Sequence, residues 1–136
     1  MTRAPQAAPR EFLRFVMVGA AGFFVDAGAL MVATTALGLG LYSGRVVSYL
    51  CAATFTWILN RRFTFAKTEE VAVIQWLRFL GANALGGAVN YGVYAALVTF
   101  SAVAAATPVL GVAAGSAAGL IFNFLVSKYW VFRRTA

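Results

Sequence analysis

One carboxylate, Asp26, stands inside residues 15–37, a stretch that otherwise carries no charge. An acid at that depth could hold or pass a proton, accept hydrogen bonds from a polar cargo, or pair with another group to fix helix packing. Facing lipid it would cost about 2.5–3.5 kcal/mol, so it should face a partner or water. Tyr49, Asn90 and Arg45 are the groups that could hold it. Arg45 opens the second apolar run at its outer end, whereas Asp26 lies well below the outer end of the first, so a direct pair calls for a long reach. Asn83, Asn90 and Asn123 add neutral polar groups to the later runs. Asn83, Gly86, Gly87 and Asn90 follow i, i+3, i+4 and i+7 spacing and share one helix face. Such a face can line a path for a hydrophilic group, or it can serve interhelical hydrogen bonding.

A second constellation is cationic. Arg14, Arg61, Arg62, Arg78 and Lys128 stand at the ends of apolar runs and are expected to ring one face of the protein at headgroup depth. Clusters of this kind set topology and attract anionic lipid. Arginine also clamps phosphate bidentately, which suits a phosphate on a lipid carrier. The chain has no histidine and a single cysteine, Cys51, so an intrachain disulfide and a cysteine-based metal cluster are both excluded. No nucleophile with a histidine base, no paired carboxylates and no glycine-rich phosphate loop is visible. The expectation is a protein with no catalytic residues, no metal and no cofactor, and not an enzyme.

The elements that carry these groups follow from composition. In 136 residues, 62% are apolar and 11% are charged, with a mean hydropathy of +0.81, against about 25% charged in soluble domains. Residues 79–127 contain no formal charge, enough for two spans of ~20 residues each. With the first half read likewise, four transmembrane helices are expected at 12–37, 42–60, 77–100 and 108–127, an all-α membrane protein. The net charge of +7 raises the question of nucleic acid, and its distribution rejects it. In a four-pass arrangement all of the 11 cations except Arg45 fall on one side. By the positive-inside rule that side is the cytoplasm, and both termini lie there. A cleavable signal peptide fits poorly, because Asp26 interrupts its would-be apolar core and the run is too long. Residues 1–10, with two prolines, read as a disordered tail, followed by a single transmembrane domain over 11–136.

That domain is internally repeated. Phe12-Leu13-Arg14-Phe15 matches Trp76-Leu77-Arg78-Phe79, and at the same spacing Asp26 falls on Asn90. After three added loop residues, Gly44, Ser48, Ala52, Thr56 and Asn60 fall on Gly111, Gly115, Gly119, Asn123 and Ser127. Arg61, Phe63 and Phe65 likewise fall on Lys128, Trp130 and Phe132. The reading is of two helical-hairpin repeats, 11–67 and 76–134, of the same orientation, joined by an interfacial linker helix at 68–75 that Thr68 would cap. Gly111, Gly115 and Gly119 form a small-residue stripe for close helix packing, with either the second helix or the hairpin partner.

The stretches FLRFVMVGAAGFFVDAGAL, ILNRRFTF, WLRFLGANALGGAVNYGVY and FNFLVSKYWVF resemble the GtrA-like family of small four-span bacterial membrane proteins over about residues 11–134. Thr56 departs from the family pattern, which usually has asparagine there, and Ser127 stands where Asn60 would lead one to expect asparagine. The resemblance implies a role in cell-surface polysaccharide synthesis, by flipping of a polyprenyl-phosphate-linked sugar across the bacterial cytoplasmic membrane. It implies that Arg14, Arg61, Arg78, Lys128 and Asp26 carry that role. The implied partners are the lipid-linked sugar and membrane lipids, with a glycosyltransferase and a second copy of the chain as further candidates and no nucleic acid. Two other readings stay open: a non-transporting scaffold for a glycosyltransferase, and a small multidrug-type exporter.

Overall fold

The computed structural model describes residues 7–65 and 68–133. Arg3, Lys67 and Arg134, which enter the charge argument, lie outside them, as do residues 1–6 of the expected tail. The described residues are helical, with no strand among them. Helix α1 (Ala7–Met31) continues into a π-helical turn, Val32–Ala36. After a bend, α2 (Leu41–Leu59) also ends in a π-helical turn, Asn60–Thr64. Helix α3 (Ala72–Phe100) is followed by the short α4 (Ala102–Ala106) and by α5 (Pro108–Val126), which ends in a third such turn, Ser127–Val131.

Two sequence expectations change. Residues 7–10 are helical rather than part of a tail, since alanines favour helix and Pro9 falls in the first turn, where its missing N–H has no helical acceptor to lose. The separate linker helix does not form either, because nothing from Ala72 to Arg78 breaks a helix and α3 runs straight through. Val71, not Thr68, occupies its N-cap position. The connections follow local chemistry. Gly38 adopts a φ of 66° in the bend between α1 and α2, a conformation that side chains disfavour. Ser101 Oγ accepts from the Ala104 N–H at 3.3 Å to start α4, and Pro108 begins α5.

The chain divides into two compact units, the first containing α1 and α2 and the second α3, α4 and α5. Within each, the long helices pack as a hairpin, and positions matched in sequence make matched contacts. Phe15 meets Phe65 edge-on at 6.1 Å in the first unit, and Phe79 meets Phe132 at 5.9 Å in the second. The π-helical turns close alike, by Phe65 N–H to Asn60 O at 3.0 Å and Phe132 N–H to Ser127 O at 2.8 Å.

Polarity is inverted relative to a water-soluble fold. Phe24 is 73% exposed and Leu41 76%, while Ser48, Gln75 and Ser127 are wholly buried. Apolar side chains outward and polar ones inward is the arrangement that hydrocarbon solvent selects. Two helical stretches, Ala8–Ala36 and Val109–Val131, are individually long and apolar enough to cross a membrane.

Candidate functional site: an acid, its counterion and their uncharged echo

In the first unit the carboxylate and the cation meet. Arg45 sits in the second turn of α2, and its Nη1 donates to both Asp26 carboxylate oxygens at 2.6 Å. Ser48, one turn further along, accepts from the same nitrogen at 3.4 Å and donates to the Arg45 carbonyl at 3.1 Å. The reach that seemed long from residue counting is covered by the length of the arginine side chain, which brings its guanidinium to Asp26. Asp26 thus bonds Arg45 and not Tyr49. The Asp26 side chain is 21% exposed and that of Arg45 56%, so the acid is the enclosed partner.

The second unit repeats the backbone arrangement without the charges. By the repeat register, Asn90 takes the place of Asp26, Val112 that of Arg45 and Gly115 that of Ser48. Removing the acid and its cation together avoids leaving either charge alone, which is the costly outcome. Asn90 packs directly on the α5 stripe: a Cβ built on Gly115 would fall 2.5 Å from the Asn90 carbonyl oxygen, and one on Gly119 2.9 Å from the Gly86 oxygen. The small-residue stripe therefore serves α3, the hairpin partner, and Gly111 completes it by lying under Tyr94. Asn123 faces Gly86 as Thr56 faces Gly22, so the departure at Thr56 is a change of side chain at an equivalent contact. Among the described residues, the buried Asn123 side-chain oxygen and the Ser127 hydroxyl find no hydrogen-bond partner.

The polar face expected on α3 splits. Asn83 donates to the Phe79 carbonyl of its own helix at 2.9 Å. Gly86 and Asn90 meet α5, whereas a side chain at Gly87 would have open space. Gly87 and Asn90 line a hollow of about 320 Å³ with Tyr91, Tyr94, Val112 and Ser116.

Four of the five cations contact groups of their own hairpins. Arg14 donates to the Phe63 carbonyl at 3.0 Å, and its counterpart Arg78 lies over Trp130, the counterpart of Phe63, at 5.8 Å. Arg61 stacks over Trp57 at 5.6 Å, and Lys128 over Phe124 at 5.7 Å. Arg62 is exposed, while Lys128 is 6% exposed. Glu70 pairs with Arg78. The two tyrosines of the hollow were missed in the sequence, though their i, i+3 spacing beside Asn90 was visible.

Geometry leaves a set of groups that can hold anions at the hairpin ends and a paired acid inside a span. No curated protein matches the chain. A family model described as the GtrA/DPMS transmembrane domain matches residues 14–135, from the first paired arginine to beyond the last π-helical turn. With its inverted polarity and that match over nearly all its length, the chain is a membrane protein of the GtrA/DPMS transmembrane-domain family.

Proposed function

We propose that the protein translocates a polyprenyl-phosphate-linked sugar across the bacterial cytoplasmic membrane during assembly of cell-surface polysaccharide. Its four long helices span that membrane as two like-oriented hairpins, with both termini in the cytoplasm, and it performs no covalent chemistry of its own. The observation that carries the reading is the Asp26–Arg45–Ser48 cluster, a charged, hydrogen-bonding group kept inside an apolar span despite the cost of placing it there. Family membership supports a role of the chain in lipid-linked sugar processes. The polyprenyl tail stays in lipid while the polar head, which hydrocarbon rejects, exchanges hydrogen bonds with polar groups inside the spans, Asp26 and Arg45 in the first unit and Asn90 in the second. Arg14, Arg61, Arg62, Arg78 and Lys128 favour the phosphate at the cytoplasmic ends of the hairpins; phosphate competes there with the Phe63 carbonyl for Arg14 and with Glu70 for Arg78.

A second reading also has an observation behind it. A fully paired acid needs no cargo, so the cluster can act as a staple in a scaffold that anchors a glycosyltransferase. Proteoliposomes containing only this protein separate the two. A translocase moves a labelled polyprenyl-phosphate sugar faster than protein-free vesicles, and Asp26→Asn or Arg14→Ala lowers that rate at least tenfold. Equal rates with and without protein would favour the scaffold.

A further inference from the structure

We infer that the hollow on the second unit, between α3 and α5, is the seat of the sugar ring itself. The inference rests on the lipid-linked-sugar reading above and adds to it the place where the carbohydrate is held. Its volume of about 320 Å³ stands at the lower end of the ~300–1,000 Å³ of small-molecule sites, the size for one small polar ligand rather than a whole glycolipid. The lining is uncharged, which directs the phosphate elsewhere and suits a neutral hexose. Tyr91 and Tyr94 present two rings 6.4 Å apart at 43° to each other, apolar faces against which the C–H face of a sugar ring can lie. Beside them stand the Asn90 amide and the Ser116 hydroxyl. Neither makes a side-chain hydrogen bond among the described residues, so donors and acceptors for sugar hydroxyls are in place.

The first unit differs at two of the lining positions. At the positions matched to Gly87 and Val112, the first unit carries the larger Phe23 and Arg45, the latter engaged with Asp26. A Cβ on Gly87 meets nothing within 4 Å, so a side chain introduced there enters the hollow without displacing the helices.

The test uses the full chain purified in detergent, with two sets of probes. These are short-chain polyprenyl phosphate, and the same lipid carrying glucose, mannose or galactose, with dissociation constants read by microscale thermophoresis. At least one glycosylated probe should bind about tenfold more tightly than the bare phosphate. Gly87→Leu, which fills the hollow, and Tyr91→Ala, which removes a ring that is 71% exposed, should each reduce that preference to under twofold and leave affinity for the bare lipid phosphate unchanged. Equal affinity of wild type for all probes would overturn the inference, as would a preference that survives both variants, the result expected if the hollow holds an acyl chain. Flipping in proteoliposomes without sugar preference sinks this site and leaves translocation standing. Sugar preference lost in both variants, with no flipping by wild type, sinks translocation and leaves the site.

Discussion

Asp26 and Arg45 share one interaction but not one environment, and removing them should have unequal effects. Losing the cation strands the enclosed carboxylate, at up to about 2.5–3.5 kcal/mol. Losing the acid leaves an arginine whose side chain is already 56% exposed and can carry its charge toward the outer surface. Arg45→Met should therefore lower thermal stability in nanodiscs more than Asp26→Asn does, and the double variant should recover most of the loss. The opposite order would mean that Arg45, not Asp26, is the enclosed charge. The acid was legible in the sequence because nothing else in residues 15–37 is charged. Its partner was underrated because counting residues along two helices measures backbone separation and omits the length of the arginine stem. The Glu70–Arg78 pair was obscured differently: an acid just ahead of a helix also suits the helix dipole, and sequence alone does not choose between the two.

At the level of elements, the glycines of α3 and α5 differ in what surrounds them. A methyl group on Gly115 would meet a backbone carbonyl that has nowhere to go, whereas one on Gly86 would meet the end of the Asn123 side chain, which can rotate. Gly115→Ala should cost about 1–3 kcal/mol through overpacking, and Gly86→Ala less. Gly19 in α1 has nothing within 4 Å of a new Cβ, so Gly19→Ala should be neutral or stabilise by about 0.5–1 kcal/mol through helix propensity. Urea or thermal unfolding of the three variants in one detergent tests the ranking. The four-residue spacing of Gly111, Gly115 and Gly119 announced a packing face, but spacing does not say which helix approaches; contact with Asn90 and Tyr94 identifies α3. Helix boundaries were less legible. The end of α1 and the start of α3 lie where apolar patterning continues across the boundary, and the π-helical turns at 60–64 and 127–131 have no composition signature of their own.

Across the whole molecule, the distribution of cations predicts that reporters fused to either terminus will read as cytoplasmic. Alkaline phosphatase should be inactive and green fluorescent protein bright at both ends, and a reporter inserted after Gly38 should behave in the opposite way. Termini scoring on opposite sides would remove the four-pass arrangement, and both scoring as external would invert it. The repeat was the feature most fully legible from residues alone, and matched edge-on phenylalanines and matched cation–ring contacts give it physical content. The register also exposes where the copies part company: Asp26 and Arg45 in one, Asn90 and Val112 in the other. Identical hairpins assembled from separate chains would be obliged to remain twins, each change appearing in both arms. Tandem fusion lifts that obligation, so one arm can keep an ion pair while its sibling carries an uncharged amide at the matched position. Installing Asn90→Asp and Val112→Arg in the sibling would show whether the second arm can still carry the ion pair of the first.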